Sequence, residues 1–307
     1  MGLWKNSDWT QIRREVRHKQ SAIYEAALKN DTPLVHLLQK ELTESLAAKM
    51  LAIKRVTQDN RGKACAGIDG KKRLTVAERE ALIPRIKLDE HSHPIRRVWI
   101  DIPGKSKRRP LGIPTIEDRA KQMLAKLALE PEWESKFEAH SFGYRPGRRT
   151  MEMTWRARHK IRYGVYWVLD ADVSKFFQRI KHEELLNKLN AWPVMEGQIR
   201  AWLEAGIFEK GDIFPAERGT PQGGVISPLL GNVALDGCQM KIWDALYAKF
   251  KNKKIANRTL YLRYADDILI ICATQEHLEI AKAASGTHWN YGVGTQFGKN
   301  PYYTNTK

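Results

Sequence analysis

Apolar side chains in the first sixty residues recur three or four positions apart, which is the spacing of amphipathic helices. A first helix is predicted from Asp8 to about Asn30, with the Asp8 side chain as its cap. A second is predicted from Thr32 to about Asn60, because proline is favoured directly after a helix start. Its apolar face would comprise Leu34, Leu37, Leu38, Leu42, Leu46, Met50 and Ile53.

Downstream, shorter helices alternate with extended segments. Helices are predicted after the capping pair Thr75 and Glu78, from Thr115 to a stop at Pro131, and over 182–189. Extended segments are predicted at 95–103, 165–172 and 260–272, where apolar residues alternate or run together. Because strands and helices interleave without a regular period, the pattern predicts an α+β fold.

Composition changes this picture mainly through charge. The chain has 307 residues, 42% of them hydrophobic, so it can bury substantial cores. With 52 Lys and Arg against 35 Asp and Glu, the formal net charge is +17. Such an excess favours a polyanionic partner, nucleic acid first and an anionic membrane second. No apolar run or amphipathic Lys/Trp helix supports a membrane partner.

Cysteine and histidine spacing argues against a disulfide framework or a zinc site. Cys65, Cys238 and Cys272 are far apart and odd in number, which is typical of a reducing compartment. His91 and His93 fit a surface loop. We expect a cytoplasmic location, with an organelle as the alternative.

Two adjacent carboxylates, Asp266 and Asp267, lie inside the extended segment 260–272. A strand, a tight turn and a second strand are predicted there, with the aspartates in or beside the turn. Negative charge concentrated at a hairpin tip suits divalent cations, and two such ions can catalyse nucleotidyl transfer. An ordinary solvated Asp-Asp turn explains the sequence Tyr264-Ala-Asp-Asp267 equally well. The other motifs of the chain have to distinguish a metal site from such a turn.

Five motifs occur in a fixed order along the chain. They are Arg109-Pro-Leu-Gly-Ile-Pro114, Phe142-Gly-Tyr-Arg-Pro-Gly147, Asp172-Val-Ser-Lys-Phe-Phe177, Gly219-Thr-Pro-Gln-Gly-Gly-Val-Ile-Ser-Pro-Leu229 and Tyr264-Ala-Asp-Asp267. Together they resemble the reverse transcriptases encoded within group II introns. The N-terminal helices are similar to that family's N-terminal extension, and the resemblance covers roughly residues 4–284.

The resemblance implies that Asp172, Asp266 and Asp267 are the catalytic carboxylates and hold two Mg²⁺ ions, with Mn²⁺ as an alternative. Asp170 would lie on the same strand face and is interpreted as accessory or structural. Phe177 would lie under the incoming sugar and select deoxynucleotides, or else fill the core, a place that suits Phe176 better.

The other site residues are expected to contact nucleotide or nucleic acid. The resemblance places Arg109, Lys105 and Gln222 at the incoming nucleotide. Six basic residues and one acid lie between Arg96 and Arg109. Aromatic faces and cations would bind bases and phosphates of a single strand, and glycines would let the backbone approach it. The predicted nucleic-acid contacts are Arg96, Arg97, Arg108, Phe142, Tyr144, Arg145, Arg148, Gly223 and Gly224; a basic, solvated loop is the alternative for 142–148.

The resemblance implies fingers and palm of a right-hand polymerase, with an antiparallel palm sheet and a catalytic hairpin. The expected divisions are a helical extension at 1–64, fingers at 65–164, palm at 165–284 and a non-matching, disordered tail at 285–307. Family members continue with a thumb and, in some, DNA-binding and endonuclease regions, so a C-terminally truncated chain is expected.

The predicted reaction is DNA synthesis on an RNA template, with a DNA primer, deoxynucleotides and the parent intron RNA as partners. The oligomeric state stays open. A truncated remnant that only binds RNA is the alternative. An RNA-only polymerase is disfavoured by Phe177 and the Tyr-Ala-Asp-Asp sequence.

Overall fold

The computed structural model describes residues 2–104, 106, 108–162, 164, 166–173, 176–216, 219–220, 223–288 and 296–297. Two compact units are present, each made from two pieces of the chain: Met1–Lys136 with Leu186–Ser227, and Phe137–Leu185 with Pro228–Lys307. The units cross the predicted divisions, because the N-terminal helices share a unit with residues from the predicted fingers and palm.

The helices are α1 Trp9–Leu28, α2 Thr32–Glu44, α3 Leu46–Lys54, α4 Val76–Leu82, α5 Ile116–Lys136, α6 Thr150–Ile161, α7 Phe176–Arg179, α8 His182–Leu189, α9 Pro193–Leu203, α10 Ser227–Leu235, α11 Cys238–Phe250, α12 Lys253–Arg258 and α13 Gln275–His288. The strands are β1 Ile95–Asp101, β2 Arg108–Ile113, β3 Trp167–Asp172, β4 Ile207–Glu209, β5 Asp212–Phe214, β6 Leu260–Tyr264, β7 Asp267–Cys272 and β8 Gln296–Phe297. Helices and mainly antiparallel sheets confirm the α+β class. Over the part of the chain that the model describes, no helix is long and apolar enough to cross a membrane.

The first unit contains a helical layer of α1, α2, α3 and α5. The predicted start of α1 is confirmed, because the Asp8 carboxylate accepts from the backbone N–H groups of Thr10 and Gln11. A buried hydrogen bond of 2.7 Å from Gln39 Nε2 to Glu132 Oε2 joins α2 to α5. The core of this layer contains Ile23, Leu42, Ile53, Leu124 and Leu127.

The prediction of one continuous helix over 32–60 is wrong. Ser45 is extended and its Oγ accepts from Ala48 N, so it ends α2 and caps α3. The break turns part of the predicted apolar face outward: Leu34, Leu37 and Leu46 are exposed.

The prediction that Pro131 ends its helix is also wrong, since α5 continues to Lys136 with Pro131 inside it. Residues on both sides of the proline are buried, including Leu129 and Trp133. Packing of this continuous apolar face compensates for the backbone hydrogen bond that a proline cannot make.

A four-stranded sheet in the order β2-β1-β4-β5 completes the first unit. β1 and β2 are antiparallel, while the contact between β1 and β4 is parallel. This sheet brings Arg96 and Arg97 next to the strand that carries Arg108 and Arg109.

The second unit is organised around an antiparallel sheet in the order β6-β7-β3-β8. Its inner strand β7 is apolar from 268 to 272, where Leu269 alone is not buried, whereas β3 alternates buried Leu169 and Ala171 with exposed Asp170 and Asp172. Helix α13 packs against β3 and β7 and also contacts α11, while α6 contacts β6. The predicted hairpin is confirmed, and its second strand, β7, pairs with β3.

Residues 285–288 are helical, although the composition predicts disorder from 285 onward. Ser285 is fully buried in α13, which continues to His288. The two described residues beyond it, Gln296 and Phe297, pair with Asp172 and Ala171 of β3. The disordered tail expected from 285 therefore does not begin there.

Candidate active site

The hairpin β6–β7 carries the two adjacent aspartates. Tyr264 pairs with Asp267, which leaves Ala265 and Asp266 as a two-residue turn. The left-handed residue is Ala265, with φ +56°, rather than either aspartate. A left-handed alanine is strained, so the surrounding structure has to hold this turn in place.

Asp172 lies directly opposite Asp267, on the adjacent antiparallel strand. Side chains that face each other in this way lie on the same side of the sheet, and Asp170 follows on that side two positions earlier. At the end of the pair, Val173 N donates to Asp266 O at 3.3 Å. The three predicted catalytic carboxylates therefore lie together where β3 ends and β7 begins, with Asp170 beside them. We call this end of the two strands the acidic or carboxylate edge.

This edge is strongly acidic. Asp170, Asp172 and Asp267 are exposed. Partial burial raises the pKa of the Asp267 carboxyl, and the charges of Asp266, Asp172 and Asp170 raise it further. Mutual repulsion of this kind is relieved when a cation binds.

The donor set fits a divalent ion that shares its coordination with a substrate. Among the described residues, no group of three or more His, Cys, Asp or Glu side chains is arranged to hold an ion alone. Mg²⁺ at phosphoryl-transfer sites is usually held by one or two carboxylates together with substrate phosphates. Asp172 and Asp267, facing each other beside Asp266, provide such an open set.

A buried polar network supports the hairpin turn. Arg263, on β6, is fully buried, and its Nη1 donates to Ala265 O at 3.2 Å and to Asn232 Oδ1 at 2.8 Å. The amide nitrogen of Asn232 in turn donates to Gly143 O at 2.8 Å. One asparagine from α10 therefore connects the loop at 143 to the strand before the aspartates.

Gly143 makes a second, direct contact with the turn. A Cβ atom at this position would overlap the backbone of Ala265 and Tyr264. The neighbouring backbone continues the contact, since Phe142 N donates to Arg263 O and Arg263 N donates to His140 O. Glycine is required because two backbone segments lie against each other here.

Glu138 lies next to this network. Its Oε1 accepts from the backbone N–H groups of Gln239 and Met240, whereas its Oε2 is buried without a partner among the described residues. Burial raises the pKa of Glu138 to about 7, the charge of Asp236 contributes in the same direction, and Arg263 opposes both. The group therefore changes charge near neutral pH.

Phe177 and Phe176 have different environments. Phe176 is buried, while Phe177 is only partly buried, and their ring centroids lie 5.1 Å apart. Both rings approach Gly231 of α10 so closely that a Cβ there would meet them at 3.0 to 3.1 Å. Phe176 fills the core position, and the role of Phe177 as a sugar gate stays a prediction.

Arg109, which is predicted to bind the nucleotide, belongs to the other unit, as do Gly223 and Gly224, which are predicted to contact nucleic acid. Arg109 is exposed on β2. Gly223 has φ +125°, and a Cβ there would overlap the carbonyl oxygen of Gly112 on β2. Gly224 is buried beside it. Lys105 and Gln222, also predicted to bind the nucleotide, lie outside the described residues.

Two of the three arginines predicted on β1 and β2 to contact nucleic acid already form ion pairs within the chain. Arg97 forms an ion pair with Glu209 at 3.1 Å, and Arg108 forms an exposed one with Asp101 at 2.9 Å. Arg96 is partly buried, and its Nε has no hydrogen-bond partner among the described residues. The predicted contacts of all three with nucleic acid stay predictions.

The loop at 142–148 divides into a buried and an exposed part. Phe142 is 1% exposed, and Arg145 Nη1 donates to the carbonyl oxygens of Glu138 and Ser141. These two residues therefore build the loop and offer little surface to a nucleic acid. Tyr144 is 55% exposed, and Arg148 is paired with Glu152 at 3.4 Å.

The comparison with protein families agrees with this geometry. The family model described as "Reverse transcriptase (RNA-dependent DNA polymerase)" matches residues 100–292, and "N-terminal domain of reverse transcriptase" matches residues 4–86. The chain belongs to the reverse transcriptase family. The match extends to 292, past the limit of about 284 that the sequence motifs indicate.

The chain is also similar to individual proteins, one of which is encoded by a group II intron. Protein YkfC of Escherichia coli is 30% identical over 263 residues, which are 73% of this chain and 68% of that protein. Group II intron-encoded protein LtrA of Lactococcus lactis is 34% identical over 148 residues, 47% of this chain and 24% of LtrA. Maturase-like protein 1 of Euglena gracilis is 28% identical over 78% of this chain and 52% of its own length.

Sequence reasoning missed the residues that hold the reverse transcriptase hairpin in place. Arg263, Asn232, Gly143 and Glu138 were not predicted as part of the site. Arg263 carried a signal, since an arginine inside an otherwise apolar strand has to find buried partners. Asn232 and Glu138 carried none, because the hydrogen-bond partners of their side chains lie between 31 and 102 residues away in sequence.

Replacing Asn232 by leucine should weaken the hairpin. Leucine has a similar volume but removes the Asn232 acceptor of Arg263 Nη1, which keeps only Ala265 O, and removes the side-chain donor to Gly143 O. Removing one partner of a buried hydrogen bond costs about 1–3 kcal/mol, and more where a charged group is involved. We expect the free energy of unfolding to fall by at least that amount in urea titrations. Met240→Ala, which shortens a side chain that is 50% exposed, is the control. Equal stability of N232L and the parent chain would contradict the network.

Glu138 should make stability depend on pH. Since its pKa is about 7 in the folded chain against 4.5 ordinarily, its stabilising contribution is complete below pH 4.5 and is lost as the pH rises through 7. At about 1.4 kcal/mol per pH unit, the loss is at most about 3 kcal/mol. E138Q cannot ionise, so its stability relative to wild type should increase from pH 5 to pH 8. A difference between the two that does not change with pH would show that Glu138 titrates normally.

Proposed function

We propose that this chain is an RNA-directed DNA polymerase of the group II intron type. In this proposal the second unit is the palm and the first contains the fingers and the N-terminal extension. The observation that carries it is the acidic edge, where Asp172 and Asp267 face each other beside Asp266. A structural reason for three adjacent, largely exposed carboxylates in a chain of charge +17 is lacking, whereas a metal-dependent reaction requires them.

Each group has a distinct task in this reaction. Asp172, Asp266 and Asp267 would hold two Mg²⁺ ions, which when bound activate the primer hydroxyl and stabilise the leaving pyrophosphate. Arg109 would bind the triphosphate, with Lys105 and Gln222 beside the nucleotide. Phe177 would exclude a 2′-hydroxyl. Phosphoryl transfer needs mainly positioning and charge stabilisation from a protein, and these residue types provide both.

The partners proposed are an RNA template, a DNA primer, deoxynucleotides and the RNA of a parent intron. The intron role rests on LtrA and Maturase-like protein 1, whose names describe an intron-encoded protein and a maturase-like protein. The match to this chain covers only 24% of the length of LtrA and 52% of the length of Maturase-like protein 1. The activities of those whole proteins therefore enter here only as a proposal.

Asp266→Asn should abolish nucleotide addition while leaving the fold intact. The change removes one negative charge from the metal site, and loss of several kcal/mol of charge stabilisation corresponds to several orders of magnitude in rate. Extension of a DNA primer on an RNA template should be measured with Mg²⁺, and circular dichroism should confirm folding. Asp244→Asn, an exposed acid of the same unit outside the hairpin, is the control. Wild-type activity in D266N would contradict the proposed polymerase function. If the unmutated chain binds RNA but does not extend the primer, the alternative of a truncated remnant that only binds RNA is favoured.

RNA binding should decrease steeply with salt. If the chain neutralises about 6–10 phosphates, affinity should fall roughly 10³–10⁵-fold between 50 and 200 mM salt. Fluorescence anisotropy with a labelled RNA gives the slope directly. An affinity independent of salt, or a preference for anionic vesicles, would contradict the proposed partner.

A further inference from the structure

Helix α6 presents a continuous stripe of exposed residues that the proposed active site does not use. No residue of this helix is buried, and one side of it is open along its whole length. The exposed positions recur three and four residues apart, so they share one face. They are Met151, Thr154, Trp155, Arg158, His159 and Arg162.

Large apolar groups dominate the first half of this stripe. Met151 is 76% exposed and Trp155 is 62% exposed. The rings of Trp155 and His159 are stacked, with centroids 5.1 Å apart and planes at 14°. The result is a flat aromatic platform on the surface, an arrangement that loses free energy in water unless something covers it.

The charges around the platform are almost all positive. Residues 148–162 contain six Lys and Arg and a single acid, Glu152. That acid is half-buried and bonds to Arg148 and Arg156, so it lies away from the exposed stripe. Arg158 and Arg162 lie one turn beyond the platform on its own face.

We propose that the α6 stripe binds a single-stranded segment of RNA. Bases would stack on Trp155 and His159, and phosphates would bind Arg158 and Arg162, which is how proteins combine aromatic and cationic groups on single strands. Charge complementarity selects this occupant. A second copy of the same face would bring like charges together, and a purely apolar protein partner would have to desolvate the arginines.

This surface is separate from the carboxylate edge, yet the choice of RNA rests on the proposed function. The test therefore measures binding of the full chain without Mg²⁺ or deoxynucleotides, in EDTA. A failed polymerase with intact RNA binding would leave the α6 surface standing. Conversely, a result that rules out RNA binding by α6 would not count against the proposed role of Asp172, Asp266 and Asp267, because none of them belongs to the stripe.

The probes are a labelled 12-nucleotide single-stranded RNA and a blunt RNA duplex. W155A should lower affinity for the single strand roughly 5- to 100-fold, the range for loss of one stacked base. W155F keeps a ring and should bind nearly as wild type, whereas W155L keeps apolar area without a stacking face and should resemble W155A. R158Q should reduce the slope of log affinity against log salt by about 0.7.

M240A, which alters an exposed apolar side chain on α11, is the matched control and should bind as wild type. Thermal unfolding of every variant should stay unchanged, because the Trp155 side chain is largely exposed. Three results would overturn the proposal: unchanged binding by W155A, wild-type binding by W155L, or an equal loss for duplex and single strand. A change in oligomeric state of W155A by sedimentation, with RNA binding intact, would identify the stripe as a protein interface instead.

Discussion

Asp172 and Asp267 face each other across neighbouring strands, and their mutual repulsion is the constraint on which the second unit depends. Like charges opposite each other destabilise a sheet pair, and two more carboxylates lie close by. Partial burial raises the pKa of the Asp267 carboxyl, and repulsion from Asp266, Asp172 and Asp170 raises it further. The strands behind the pair are correspondingly apolar: Leu169, Ile268, Ile270 and Ile271 are buried. A densely packed sheet therefore keeps the acidic edge together despite this repulsion.

The same sheet has to hold a strained turn. Ala265 adopts a left-handed conformation. Its carbonyl oxygen accepts a hydrogen bond from Arg263, and Asn232 joins Arg263 to Gly143, so this network fixes the backbone of the turn. Because this network is buried, its hydrogen bonds are strong and any missing one is costly. The consequence is a rigid turn. The turn carries Asp266, and the position of Asp266 is set by Arg263, Asn232 and Gly143, none of which belongs to the carboxylate set.

The sequence predicts what is local in this molecule. Caps at Asp8 and Thr75, the hairpin and the acidic ends of its strands depend on neighbours within a few residues, and all are confirmed. The break at Ser45 and the passage of α5 through Pro131 depend on packing against other helices, which periodicity does not contain. The same holds for the site. Three aspartates are recognisable by type and order, but Asn232 lies 31 residues from Arg263 and 89 from Gly143.

Glu138 links the turn's support to proton binding. Arg263 is a fully buried cation whose Nε and Nη2 have no hydrogen-bond partner in the described chain, so it gains from a nearby negative charge. Glu138 provides that charge when ionised, but its own burial and Asp236 oppose ionisation, and the balance is reached at about pH 7. Below that pH the carboxyl is neutral and its own burial costs less, while the guanidinium loses its counter-charge. The two effects oppose each other, and the raised pKa of Glu138 means that the first is the larger. Protonation of Glu138 therefore stabilises the fold on balance, although it removes a nearby negative charge from the buried Arg263 that supports the hairpin turn.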